Sequence, residues 1–459
     1  MKNKLATFRA PDFQHKLWKL ALPITFQSLL YSFLGLVDIL MVSQLGESEI
    51  AAVGLGNKIF FFNLLMMVGI SHAGGVLAAQ YYGAEDLSGL RRSLVVSLLF
   101  SIISVIPFIL LYTLSPQTVT GLASEDATLL SLSNDYLVIT AYSFIFTAVV
   151  LPLETALRSA GDTKTAMNIS FLVLPLNALL NYIFIFGHLG FPEMGVAGSA
   201  WGTVLARLAQ MLLMLIFVVK KRPFIIAKIE EVKQALTLFE IKRYTKLALP
   251  MVLHDSGWAL GVLVYTLIFA MIGVQELAVM SMVSTIEQTI FALFIGIAIA
   301  SGTMIGHQLG AKAFAQAWQE AWTFILFVPI LAFIIAPFII IFREPILSLF
   351  PSLSLEAMTS ASQVLLVLAL VLFIRVINFI GIIGVLRSGG DINYSTFVDI
   401  FCMWCVGIPL TFIAVKYYHF SLVEAYIVML SEELIKVLLV IHRVHKKHWL
   451  RNMLGHDHK

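Results

Sequence analysis

The sequence predicts an all-α membrane protein of twelve transmembrane helices, arranged in two six-helix bundles related by a pseudo-two-fold axis along the membrane normal. Three observations carry that prediction. Of the 459 residues, 59% are hydrophobic and only 12% charged, against about 25% charged in soluble domains. Twelve apolar stretches reach the length of ~20 residues that crosses ~30 Å of hydrocarbon. The second half of the chain also partly repeats the first.

The stretches lie near 17–43, 50–82, 93–115, 133–157, 165–187, 195–219, 243–272, 277–309, 320–342, 361–386, 395–416 and 421–442. None alternates apolar and polar residues as barrel strands do. Several exceed the minimum length, so they tilt or bend. The first 16 residues are polar and basic, without the apolar core of a cleavable signal. Lys and Arg set the orientation. With the N-terminus inside, the inner segments hold Lys2, Lys4, Arg9, Lys16, Lys19, Arg91, Arg92, Arg158, Lys164, Lys312, Arg387 and the basic loop 220–246. The tail adds Arg443, Lys446, Lys447, Arg451 and Lys459, whereas the outer loops hold only Arg343 and Lys416. Both termini are therefore expected in the cytoplasm. Cys402 and Cys405 lie in the apolar run FCMWCVGIPL, with no neighbouring positive charge to form thiolates. They are read as packing or lipid-facing residues.

A shift of 227 residues lays KLALP at 19–23 on KLALP at 246–250, and Gly46, Glu49, Gly69, Gly75 and Gly83 on Gly273, Glu276, Gly296, Gly302 and Gly310. At a shift of 229, LRSAGD at 157–162 meets LRSGGD at 386–391. Six helices per repeat keep both halves in one orientation, the plan of transporters built from parallel repeats. The expected divisions are a cytoplasmic segment 1–16, an N-lobe 17–219, a linker 220–242, a C-lobe 243–443 and a tail 444–459.

Asp38 stands inside the first apolar stretch, where a carboxylate costs roughly 2.5–3.5 kcal/mol. Its repeat partner is Tyr265, so duplication does not demand the charge. Pro23 removes a backbone hydrogen bond upstream, and Gly35 lies one turn before Asp38; both are candidate bends. Asn177 and Asn181 share one face of the fifth helix at i,i+4, just after Pro175, and Thr203 lies in the first turns of the sixth. One carboxylate, two amides and a hydroxyl are hard oxygen donors suited to a small cation, and they suit a protonated carboxyl equally. For any one Asn the plain alternative is an inter-helix hydrogen bond worth about 0.6 kcal/mol. In the second half His254, Asp255, Trp258, Tyr265, Glu287 and Arg375 form a looser candidate set for substrate or a second ion. His254 and Asp255 can pair with each other or with Arg375.

The two six-helix halves, VDILMVSQLG in the first helix, LRSAGD after the fourth and MGVAGSAWGT into the sixth resemble the MATE multidrug and toxic-compound extrusion transporters, closest to the bacterial NorM branch, over roughly 15–445. The resemblance implies a cation-coupled antiporter in a bacterial inner membrane that exports cationic amphipathic drugs as Na⁺ or H⁺ enters. It places the family's N-lobe cation site on Asp38, Asn177, Asn181 and Thr203. The C-lobe acids of sodium-coupled relatives fall on Trp258 and Val376 here, which puts a C-lobe ion site in question. The coupling step expected is ion capture at Asp38 that bends the first helix, near Pro23 or Gly35, and expels the drug.

The nearest alternative is a flippase for lipid-linked saccharides, which needs an Arg- and Lys-lined cavity. An enzyme is not expected: H-x-x-x-x-D, G-x-S-x-G and H-E-x-x-H are all missing. A passive channel has no use for a lone buried Asp. No cofactor and no nucleic-acid partner are expected, and the chain is read as a monomer in the lipid bilayer.

Overall fold

Hydrocarbon offers no water to backbone N–H and C=O groups, so a chain this apolar closes its hydrogen bonds within helices. The structure, a computed structural model, describes residues 8, 10–121, 126–348 and 354–454, apart from the side chains of Leu34, Leu36, Ile39 and Glu47. Lys2, Lys4, Arg9 and Lys459 of the orientation reading lie outside the described residues.

The long helices are α1 (Pro11–Val42), α2 (Glu47–Gly83), α3 (Leu87–Leu114), α4 (Ala127–Ala141 and Ser143–Ser159), α5 (Lys164–Phe186) and α6 (Gly195–Lys221). The second set is α7 (Leu238–Ala270), α8 (Val274–Gly310), α9 (Phe314–Leu347), α10 (Leu355–Phe379, continued by the π-helical Ile380–Leu386), α11 (Ile392–Phe401 and Ile408–Lys416, joined by the π-helical Cys402–Gly407) and α12 (Leu422–His445). Among the described residues, nine helices are individually long and apolar enough to cross a membrane, and ten when the two pieces of α4, bent by 44°, count as one span. With α1 and α12 the fold has twelve spanning helices in two six-helix sets. Glu432, Glu433 and Lys436 make α12 the more polar of these two.

Local chemistry sets the ends. α1 begins at Pro11, ahead of the expected residue 17, because proline suits a first helical turn and Asp12 complements the dipole there. Asp86 caps α3 by accepting from Gly89 N at 2.8 Å, and Ser421 with Glu424 forms a capping box on α12. Gly187, at φ 69°, ends α5 in the left-handed region that glycine favours.

The repeat is legible in the backbone. α2 and α8 are each 37 residues long, and both end into a residue forced to positive φ, Glu85 and Lys312, at 58° in each case. Gly161 and Gly390, in the two LRS-x-GD turns, take φ 85° and 78°.

Two compact units emerge: Leu22–Val252, and Met1–Ala21 with Leu253–Lys459. Their bounds are drawn elsewhere than the expected lobes 17–219 and 243–443. Phe13, Leu17, Leu20 and Ala21 join the buried core of the second unit, so α1 changes unit beside Pro23. The segment 220–242 belongs to the first unit. Its short helix Ile229–Ala235 is tied down by Arg91, which donates to Glu231 at 2.7 Å and to the Phe224 carbonyl at 3.1 Å. Burial pushes the Glu231 carboxyl up, but the Arg91 guanidinium and the Lys228 backbone N–H outweigh it and hold the pKa at about 2, below the ordinary 4.5.

Candidate functional site

In the first unit, α1 and α5 face each other through one polar stripe. Gln27, Tyr31 and Asp38 follow i, i+4, i+11, and Ser170, Asn177 and Asn181 follow i, i+7, i+11, so each set lies on one helix face. Asn181 Nδ2 donates to Asp38 Oδ1 at 2.8 Å, and Gln27 Nε2 donates to Ser170 Oγ at 2.8 Å. Both pairs are 143 residues apart, so the register holds along the whole stripe. The stripe brings Asp38 and Asn181 together.

Asn181 is fully buried. Among the described residues, its Oδ1, and Nδ2 of the buried Asn177, have no hydrogen-bond partner. An orphaned carbonyl oxygen beside a carboxylate is an acceptor site that a cation satisfies. Thr203, on α6, makes no hydrogen bond to Asp38 in this state. Glycine lets α6 come this close: a Cβ at Gly202 overlaps Asn181 Oδ1, and one at Gly198 meets the Phe184 backbone at 2.6 Å. These two glycines, four apart, form the small-residue face that packs spanning helices together.

A second cluster lies further along the same stripe. Glu154 Oε1 accepts from Gln27 Nε2 at 3.2 Å and from Gln210 Nε2 at 3.3 Å, and its Oε2 from Arg158 Nη2 at 3.1 Å. Arg158 also donates to Gln27 Oε1 at 2.7 Å. Arg158, expected in an inner loop, is thus drawn into a buried pair, and Glu154 is 2% exposed. Among the candidate bends, α1 runs unbroken through Pro23 and Gly35, while Pro175 lies inside α5 at an exposed position.

The second unit holds a larger network. His254 Nε2 meets Asp399 Oδ2 at 2.6 Å, and its Nδ1 meets Asp255 Oδ1 at 2.8 Å and Arg387 Nη2 at 2.7 Å. Arginine only donates, so Nδ1 accepts from Arg387 in neutral His254; protonated, the ring donates to both carboxylates. Lys436 Nζ lies 2.6 Å from Asp399, 3.5 Å from Glu432 and 3.6 Å from Glu433. Tyr265 donates to Glu432 Oε2 at 2.8 Å, and Asn378 Nδ2 to Glu433 Oε2 at 2.6 Å. Arg375 pairs with Glu287 and Glu433 rather than with His254 or Asp255, because α8 and α12 supply its carboxylates. Trp258 stands outside these contacts with 41% of its surface exposed.

Lys436, Arg387 and Asn378 belong to this network and stood outside the candidate set read from the sequence. Lys436 was signalled by E-E-x-x-K on one face of α12. Arg387, read as an inner-loop charge, has a side chain only 4% exposed, and its sequence carries no local sign of that burial. The two cysteines are free, Cys402 buried and Cys405 exposed.

The MatE family model matches residues 23–183 and 250–413. The Uncharacterized transporter YisQ of Bacillus subtilis is 27% identical over 445 residues, which cover 96% of each protein. The Probable multidrug resistance protein NorM of Thermotoga maritima is 25% identical over 431 residues, covering 94% of this chain and 92% of the relative. Among solved structures, MATE in complex with MaL6 superposes with a TM-score of 0.85 at 20% identity, covering 94% of this chain and 96% of that one. An outward-facing MATE transporter of the MOP superfamily gives 0.86 at 19%, covering 94% and 95%; these likenesses are of fold. One matched segment falls in each repeat, together they exceed half of the chain, and on that ground the protein belongs to the MatE family of membrane transporters.

Proposed function

We propose that this protein is a cation-coupled multidrug efflux antiporter that exports cationic amphipathic compounds by alternating access, with Na⁺ or H⁺ as the coupling ion. The observation that carries the proposal is the Asp38–Asn181 pair, a carboxylate held against a buried amide whose oxygen is unpartnered. Asn177 supplies a second amide one turn away, which presents its own oxygen when turned over, and Thr203 a hydroxyl from α6. An ionised carboxylate is costly in the membrane, and ion capture removes most of that cost. Loss of the charge then frees α1 to bend near Pro23 or Gly35, and the bend expels the drug.

The efflux role draws on the relatives, which carry the names Probable multidrug resistance protein NorM and Multidrug resistance protein MdtK. Their bacterial origin and the Lys and Arg distribution favour the inner membrane with both termini in the cytoplasm. The network of His254, Asp255, Tyr265, Glu287 and Arg375 is the candidate for a second ion or substrate contact.

The test reconstitutes the protein in liposomes with a fluorescent cationic dye. A Na⁺ gradient is imposed at fixed pH, then a pH gradient without Na⁺. Dye movement driven by one ion, and lost in Asp38→Asn, is the expected result. Gradient-driven movement that persists in Asp38→Asn removes Asp38 from the mechanism.

A further inference from the structure

The segment between α6, which ends at Lys221, and α7, which begins at Leu238, joins two spanning helices and so lies at a membrane surface. One side of it is fastened to the first unit. Arg222 Nε donates to Asp162 Oδ2 at 2.6 Å, Arg91 holds Glu231 and the Phe224 carbonyl, and Arg92 Nη1 donates to Gln234 Oε1 at 3.0 Å. At the start of α7, Arg243 Nη1 donates to Tyr81 Oη at 2.7 Å and Tyr244 Oη to the Ile70 carbonyl at 2.5 Å.

The other side is built differently. Between 220 and 246 both arginines are bonded to protein. Lys220, Lys221, Lys228, Lys233, Lys242 and Lys246 are instead all exposed, and among the described residues none of them is in an ion pair. Of the acids, Glu231 and Glu240 face Arg91 and Arg243, so Glu230 is the exposed acid that remains. In the short helix Ile229–Ala235, Glu231 and Ala235 are buried at i,i+4, which fixes the face turned to α3. Ile229, Lys233 and the capping Leu236 follow i, i+4, i+7 on the far side, and there Ile229 is 78% and Leu236 47% exposed. Glu230 and Gln234 lie between the two faces.

We propose that the 220–242 segment is a membrane-surface anchor that seats on anionic phospholipid, with its lysines on the headgroup phosphates and Ile226, Ile229 and Leu236 in the acyl boundary. Lysines interleaved with apolar side chains match a surface that is anionic above and apolar beneath. Lysine stems run along the acyl chains while the ammonium groups reach the phosphates. A second copy of this chain is the poorer occupant, because a two-fold contact would set the same lysines against each other. Lipid then holds the segment from one side, and Arg91, Arg92 and Asp162 from the other. The depth at which α7 begins is thereby set by the charge of the leaflet.

The experiment places a spin label at Ile229→Cys, Leu236→Cys or Glu230→Cys in the full chain, in a Cys402→Ala, Cys405→Ala background. Liposomes of phosphatidylcholine alone are compared with liposomes that also contain phosphatidylglycerol. Collisions with oxygen, which enters lipid, and with a water-soluble nickel chelate report the depth of each label. With phosphatidylglycerol, the labels at 229 and 236 are expected to meet oxygen and be sheltered from nickel, while the label at 230 meets nickel in both lipids. Phosphatidylcholine alone is expected to return the first two labels towards water. Replacing Lys220, Lys221, Lys228 and Lys233 with Gln is expected to abolish the difference between the lipids, each lysine near an anionic surface shifting the seated population about fivefold. Its folding is checked by an unchanged melting temperature. Glu230→Lys, read from the label at 236, is expected to deepen the seating. Nickel access at 229 and 236 equal to that at 230 in both lipids overturns the anchor. Seating indifferent to lipid charge and to the lysine and Glu230→Lys changes overturns the anionic recognition. Labels sheltered from both reagents show a protein covering this face and overturn the proposal as well.

Discussion

Replacing Gly202 with alanine tests the seat of Asn181. In an ordinary helix interior this change stabilises by about 0.5–1 kcal/mol. Here the new Cβ overlaps Asn181 Oδ1 and lies 3.1 Å from its backbone N. Asn181 is fully buried, so its amide moves only by leaving Asp38. A hydrogen bond to a charged group contributes about 1.5–3 kcal/mol, and overpacking costs about 1–3 kcal/mol. Set against the helix gain, the net loss of stability is about 2–5 kcal/mol. The part that falls on the ion site weakens the apparent ion affinity roughly 10- to 150-fold, at 1.4 kcal/mol per decade. The assay is the initial rate of dye transport in liposomes against ion concentration, with thermal unfolding in detergent beside it. Gly35→Ala is the control for the bare substitution, since nothing lies within 4 Å of a Cβ there. A Gly202→Ala protein with wild-type ion dependence and an unlowered melting temperature refutes the reasoning.

Other outcomes follow from the same structure. Gly35→Ala raises the melting temperature slightly and keeps the ion affinity but slows transport, because it stiffens α1 near the proposed bend; an unchanged rate removes Gly35 as a hinge. Lys436→Met strands Asp399, Glu432 and Glu433 without their shared cation, and loss of one partner of a buried pair costs about 3–5 kcal/mol; calorimetric or fluorescence melting checks it. The Glu231 carboxyl has its folded pKa depressed from 4.5 to about 2, so its contribution is present above pH 4.5 and lost as pH falls towards 2. Protease accessibility of the 220–237 segment should therefore rise across that window, and in Arg91→Ala the rise should begin nearer pH 4.5.

The helical, membrane-spanning class and the six-plus-six repeat were legible in the sequence because both rest on local facts. Hydrocarbon forces the backbone to satisfy itself within each helix, so about twenty apolar residues declare a span without reference to their neighbours. Turns that need positive φ recur wherever the chain was duplicated, as at Glu85 and Lys312. Asp38 was legible for a similar reason: a carboxylate in an apolar run is costly wherever the helix packs. Its link to Asn181 was foreseen in part, from amides four residues apart on one face and from resemblance.

Partnership between charges on different helices was decided by the tertiary structure alone. Arg158 and Arg387 read as loop charges because basic residues at span ends usually face water. Their withdrawal from water depends on α1 and α6 bringing Gln27 and Gln210 to Glu154 on α4, and on His254 and Asp255 being brought to the end of α10. Arg375 went to Glu287 and Glu433 because α8 and α12, distant in sequence, pack against α10. The point where α1 changes unit was equally hidden, since an unbroken helix carries no local mark of which core each half joins. Burial price is a property of one residue in its own segment, and so the sequence declares it. A counter-charge is a property of packing between segments, and only the folded chain assigns it.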